Sequence, residues 1–289
     1  MHKKEVLLLC LLLVVVLVIG SGCDFLGAGE INNGDHGDGA AGGDNGDSEK
    51  ADNLVKVANS AGDGYFYRLV ELPEAVQQWV DNAAENLSLG HSRVFGEYLY
   101  LLVTYGLQPT GGYAVEITDV QVSEDAVKVQ VAFSAPGPDD LVTQGFTYPY
   151  DLALIPAVDL PVVFCAGGAQ EYIMTLHGID DLEPVVAASP GIKLFAPAEG
   201  DAAAGRLHFR GVASVFEGLV SYRLTGVNGP VLAEGYTMAG MGDWYYFEEA
   251  IDLSGLILEE TAATLELYTI SPKDGSEQDQ VKVSLTLSP

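Results

Sequence analysis

Val127-Lys128-Val129-Gln130-Val131-Ala132-Phe133 puts three valines and a phenylalanine on one side of an extended chain, with Lys128, Gln130 and Ala132 on the other. Side chains alternate across a strand, so this stretch is a β-strand with one dry and one wet face. A turn at Ser123-Glu124-Asp125 separates it from a second alternating run. There Tyr113, Val115 and Ile117 oppose Ala114, Glu116 and Thr118, which is antiparallel patterning. Upstream, Glu97 to Tyr105 is a β-rich run. Before it, Val76, Trp79, Val80, Ala83 and Leu87 fall on one face at helical spacing. Pro73 suits a first helical position, so one short helix is expected from Leu72 to Leu87, ended by Gly90.

Downstream of the prolines at 136, 138 and 149, a second strand set begins near Ile192. Leu207 and Phe209 point one way and Arg206, His208 and Arg210 the other. Val220 to Leu224 is joined through Asn228-Gly229 to Val231-Leu232, a hairpin signal. Leu265 and Leu267 pair with Val281, Val283, Leu285 and Leu287 around the polar loop 271–280. Short strands with turns every eight to twelve residues indicate a sandwich. Phe216, Trp244 and Phe247 are the large residues expected in its core. The fold class is therefore mainly β: two antiparallel β domains, the second a sandwich, with one helix before the first. They are expected to be independently stable and to meet near residues 165–190.

The N-terminus reads as an export signal. Lys3 and Lys4 precede the apolar run Leu7 to Ile19, and Gly20-Ser21-Gly22 leads into Cys23. A run of that length covers about 20 Å as a helix, short of a bilayer core of about 30 Å. It fits a signal peptide over residues 1–23. Residues 24–52 alternate Gly with Asp and offer nothing to bury, which predicts a disordered tether spanning roughly 30 Å. Within it, Gly37-Asp38-Gly39-Ala40-Ala41-Gly42 matches a dinucleotide fingerprint literally, but with no strand before it or helix after it. The remaining divisions are 53–165 for the first β domain with its helix, 166–190 for a connector, and 191–289 for the second.

Composition narrows the partners. The chain has 13 Lys+Arg against 41 Asp+Glu, a net charge of −28. Such a surface is a poor match for nucleic acid, whose binding depends on basic residues displacing counterions. It also repels anionic headgroups, so membrane attachment is expected through acyl chains. Cys165, inside the apolar run Val162-Val163-Phe164-Cys165-Ala166, reads as a small buried hydrophobe rather than a nucleophile. No Gly-x-Ser-x-Gly, His-Glu-x-x-His, Walker loop or Ser-x-x-Lys occurs. His36, His91, His177 and His208 lack a second ligand at metal spacing. No catalytic residue, metal or cofactor is expected.

Three resemblances extend this reading. Gly20-Ser21-Gly22-Cys23, at the end of the apolar run, resembles the lipobox of lipoprotein signal peptidase substrates, which implies lipidation of Cys23 and an extracytoplasmic, membrane-anchored protein. Leu101-Leu102-Val103-Thr104, Gly106-Leu107-Gln108-Pro109-Thr110-Gly111-Gly112-Tyr113, Gln144 and Thr147-Tyr148-Pro149-Tyr150 resemble the C-terminal domain of the PrcB family of protease-complex subunits. That family is named for a lipoprotein that assembles with a surface protease, which implies a protein partner. Leu107-Gln108 stands where relatives more often carry a Glu-Lys pair.

Phe216-Glu217-Gly218, Val231-Leu232-Ala233-Glu234-Gly235, Phe247 and Tyr268-Thr269-Ile270-Ser271-Pro272-Lys273-Asp274-Gly275-Ser276 resemble the Gmad2 domain. This is an immunoglobulin-like module of bacterial sporulation and germination lipoproteins. The GerM-type domain that often accompanies it does not occur here. These resemblances imply a non-catalytic cell-surface lipoprotein that binds or assembles proteins, as an accessory subunit of a surface protease complex.

The alternatives are a protease inhibitor, a sporulation- or germination-associated envelope protein, and an exported hydrolase with a dispersed site. The inhibitor reading has its own motive. Pro109-Thr110-Gly111-Gly112-Tyr113 resembles the Asn-Pro-Thr-Thr-Gly-Tyr loop of chagasin-like cysteine-protease inhibitors, and Tyr148-Pro149-Tyr150 could stand for their Arg-Pro-Trp loop. In either binding reading the candidate partner-binding residues are Pro109, Thr110, Gly111, Gly112, Tyr113, Tyr148, Pro149 and Tyr150.

Overall fold

The computed structural model describes residues 53–289 except 61, 63 and 228. Cys23 and the segment 24–52 lie outside the described residues. The first half contains β1 (Leu54–Ala58), β2 (Tyr65–Leu69), α1 (Glu74–Ala84), β3 (Ser88–Phe95), β4 (Tyr98–Tyr105), β5 (Ala114–Val122), β6 (Val127–Ser134), β7 (Tyr150–Pro156) and β8 (Val162–Gly168). The second half contains β9 (Leu176–His177), β10 (Ala187–Ala188), β11 (Ile192–Ala196), β12 (Ala202–Ala204), β13 (Arg206–Ala213), β14 (Leu219–Gly226), β15 (Val231–Met238), β16 (Trp244–Asp252), β17 (Thr261–Ile270) and β18 (Glu277–Ser288). Among the described residues the chain is mainly β with a single helix, as the patterning predicts.

Four sheets result, in the orders β1-β2-β7-β4-β3, β5-β6-β8, β10-β11-β13-β16-β9 and β12-β18-β17-β14-β15. The expected pairs form: β5 with β6, β14 with β15 and β17 with β18, all antiparallel. In the last, Leu265 faces Val283 and Leu267 faces Val281.

Period two explains how the sheets stack. In β4, Leu99, Leu101, Val103 and Tyr105 point into a core shared with Val115, Ile117, Val129, Val131 and Phe133 of the three-stranded sheet. The alternate residues Tyr100 and Leu102, with Leu152 and Leu154 of β7, point the other way, onto Val76, Trp79, Val80 and Ala83 of α1. That second face also meets Phe195, Val212 and Trp244, which lie on the outer face of the β10-β11-β13-β16-β9 sheet. The inner face of that sheet packs Leu194, Leu207, Phe209 and Phe247 against Leu265, Leu267, Val281 and Val283. Among the described residues the four sheets are thus layered, with the two central sheets covered on both faces. This is why β4 reads Tyr-Leu-Tyr-Leu-Leu-Val-Thr-Tyr without alternation.

The connector threads this middle layer. Gly90 N–H donates to Met174 O at 2.8 Å, and Trp244 N–H to Thr175 O at 2.9 Å. Strand β9 adds to β16 in parallel. Met174, Leu176, Ile179, Leu182 and Val185 enter the shared apolar layer, and Arg210 holds Glu183 in a two-point ion pair at 2.7 and 2.9 Å.

Two sequence expectations are corrected. The helix ends at Ala84 rather than near Leu87, and Gly90 lies inside β3. A Cβ there would lie 2.6 Å from the Phe164 ring, so the glycine serves close packing rather than a helix stop. Of the three aromatics assigned to the sandwich core, only Phe247 is inside it. Trp244 faces the first half of the chain, and Phe216 is 55% exposed.

Candidate functional site

The loops Pro109–Tyr113 and Tyr148–Tyr150 are far apart in sequence and adjacent in space, because each emerges from a neighbouring strand. β4 pairs with β7, Thr104 lying opposite Tyr150. Beyond them the pairing continues irregularly. Tyr105 N–H donates to Pro149 O at 2.8 Å. Gln108 and Thr147 exchange two backbone hydrogen bonds, at 2.8 and 3.0 Å, and Gly111 N–H donates to Thr143 O at 3.0 Å. The Thr147 hydroxyl donates to Thr110 O at 2.9 Å. Residues 107–113 and 141–150 are therefore one laced edge.

Both glycines sit close against the facing loop, and Gly112 is the more constrained of the two. A Cβ on Gly111 would lie 2.3 Å from the Thr143 hydroxyl oxygen. Gly112 has φ +86°, and a Cβ there would approach Val142 Cγ1 to 2.8 Å. At the root of the loop, Asp140 accepts the Gly137 N–H at 2.7 Å and closes a local turn.

Side chains divide into two groups. Tyr113 is half-buried and edge-on to Tyr105, whose ring in turn meets Phe133 edge-on at 4.8 Å. It belongs to the core. Tyr148 and Tyr150 are exposed, and so are Leu107, Leu141 and Phe146, the last at 70%. The sequence reading missed these three. Phe146, isolated between Gly145 and Thr147 in a polar loop with no alternating partner, was the available signal. Large apolar side chains on a fixed backbone, flanked by Asp139 and Asp140 and by no basic residue of either loop, suit recognition of another protein.

Other polar groups are engaged elsewhere in the fold. Trp79 Nε1–H donates to His91 Nδ1 at 3.0 Å in the middle layer. His177 stacks on Tyr245, ring centroids 4.6 Å apart. Its Nε2 meets both Thr175 Oγ1 at 3.0 Å and Asp243 Oδ2 at 3.3 Å. With Trp244 N–H on Thr175 O, these contacts tie the connector to β16. Tyr172 donates to Asp243 at 2.8 Å; burial, and then this carboxylate, push its hydroxyl up to about 12. Asp181 pairs with Arg93.

Asp151 accepts from Arg68 and, at 2.6 Å, from Ile117 N–H, so an ion pair covers the open edge of β5. His208 lines a cavity of about 310 Å³ with Pro197, Asp201 and Arg206. Among the described residues, no group of three or more His, Cys, Asp or Glu is placed to hold a metal ion. No helix there is long and apolar enough to cross a membrane.

The laced edge lies within a recognisable domain. Residues 99–156 match the family model "PrcB C-terminal", and residues 191–276 match "Immunoglobulin-like domain of bacterial spore germination". The PrcB C-terminal match thus spans both loops of the edge, and the immunoglobulin-like match begins at β11 and runs through β17. No curated protein and no solved structure matches the chain.

Proposed function

We propose that the protein is a non-catalytic lipoprotein, anchored at the outer face of the cell membrane through Cys23, that binds another envelope protein through the edge formed by residues 107–113 and 141–150. In this reading it is an accessory subunit of a surface protease complex. The observation that carries the proposal is the convergence of two Tyr- and Pro-containing loops into one rigid edge with Phe146, Tyr148 and Tyr150 exposed. A backbone already fixed by hydrogen bonds loses little entropy on association, which favours binding. The PrcB C-terminal match over 99–156 supports a protease complex as the setting. Lipid on Cys23 would leave the acidic body free of the headgroups.

The test is recovery of the tagged full chain from mildly solubilised membranes of the producing organism. A protease subunit should co-purify with the wild type and be lost from Phe146→Ser/Tyr148→Ser. Retention of the same proteins by that variant would count against the edge. Mass spectrometry should find a diacylglyceryl adduct on Cys23, and an intact residue 1–22 segment in the mature protein would refute the anchor.

The adjacency of the two loops also favours a second reading, that of a protease inhibitor. In that case the purified chain should inhibit a papain-like protease stoichiometrically, whereas an accessory subunit should leave it unaffected.

A further inference from the structure

A second exposed apolar surface lies on the immunoglobulin-like domain, in the sheet most distant in the stack from the three-stranded one. Phe216, Tyr236, Met238 and Met241 each leave more than half of their surface exposed. They are brought together by backbone pairing. Leu219 lies opposite Met238 and Ser221 opposite Tyr236; Ala239 N–H donates to Gly218 O at 2.7 Å, and Val215 N–H to Gly240 O at 3.2 Å. The corner is fixed in an unusual shape. Glu217 has φ 57° and Gly218 φ 67°, two left-handed residues in succession. Side chains larger than glycine rarely adopt this conformation. Among the described residues no hydrogen bond or ion pair holds the exposed Glu217 carboxylate, and the Phe216 ring is more than half exposed.

We propose that this corner, with Tyr236, Met238 and Met241, is a second protein-docking surface whose occupant presents apolar side chains ringed by Lys or Arg. Charge selects that occupant. Residues 214–222 and 231–243 contain Glu217, Glu234 and Asp243 and no Lys or Arg. The adjoining Arg223 is engaged by Glu266 at 3.2 Å and by Glu277 at 2.6 Å. The field at the patch therefore attracts cations and repels anionic headgroups. Phe supplies a rigid anchor, and the two methionines a surface that adapts to its partner. The proposal does not depend on the edge of the first domain.

The experiment uses the full chain in producing cells, with photoreactive benzoylphenylalanine at position 216 or 241. Val55 on β1, exposed to a similar degree, is the control. The same protein should be captured from 216 and 241 and not from 55. Once that protein is purified, Phe216→Ser/Met241→Ser should weaken its binding to the full chain at least tenfold. Glu217→Lys should weaken it several-fold and reduce its salt dependence. These sites are exposed, so the melting temperature should not change. Four results would overturn the proposal: absence of site-specific adducts, adducts with lipid, adducts with a second copy of the chain, or a captured protein that binds the variants as tightly as the wild type.

Discussion

His91 can accept the indole N–H of Trp79 only while Nδ1 is unprotonated. Burial, and then the nearby Arg93, lower its pKa to about 4 from an ordinary 6.5. Between those values the unfolded chain binds a proton that the native protein does not. The stability contributed by the neutral imidazole is therefore complete above about pH 6.5 and is lost as pH falls toward 4, a change of about 3 kcal/mol at most. Thermal melts at pH 7.5 and 4.5 check this. His91→Gln, whose amide oxygen can still accept the indole N–H, should lose less stability over that interval than the wild type. Equal losses would show that carboxylates alone set the acid sensitivity. At this scale the sequence was partly legible. Trp244 and Phe247 are three residues apart on a strand and so must face opposite sides, yet a large aromatic residue gives no sign of which layer it enters. Phe216 looked like core for the same reason, since volume and apolarity do not report direction.

Among the elements, strand types and pairs could be read from alternation because most strands have one wet face. β4 could be read only as β-rich, since its two faces are both buried. The laced edge was legible as two loops but not as one surface. The Gln108–Thr147 pairing joins residues 39 apart through backbone groups that any sequence carries. Tyr113 and Tyr148 looked alike in sequence and should behave differently. Tyr113→Ala removes a half-buried ring from the Tyr105–Phe133 stack and should destabilise by about 2 kcal/mol, whereas Tyr148→Ala should stay within about 0.5 kcal/mol. Denaturant titration of both variants decides this. A large loss for Tyr148→Ala would place it in the core and move the binding surface elsewhere. Gly112→Ala must place a Cβ against Val142 at φ +86°, and should destabilise by on the order of 1–3 kcal/mol.

At the scale of the whole molecule, the two halves share one apolar layer. Phe195, Val212 and Trp244 would be uncovered in a fragment of residues 188–289, and re-exposing them costs on the order of 5 kcal/mol. That is comparable to the full stability of a small domain. The fragment should be markedly less stable than residues 53–289, or aggregate, and differential scanning calorimetry should show one transition for the longer chain. Two well-separated transitions, with the fragment as stable as its parent, would mean that the layer contributes little. Two strand sets with separate aromatic residues pointed to independent domains. What their sequences did not reveal is that each also carries apolar residues on its outer face, because residues that face a neighbouring layer look like residues that face a core.

The proposed function requires that the edge at 107–113 and 141–150 bind a protein partner. The most direct test is the affinity of the purified co-isolated partner for the wild-type chain and for Phe146→Ser/Tyr148→Ser, with the melting temperature measured on the same samples. Binding should be weakened at least tenfold with the melting temperature within about 2 °C, since only exposed side chains are removed. Unchanged affinity with an unchanged melting temperature would contradict the proposed function.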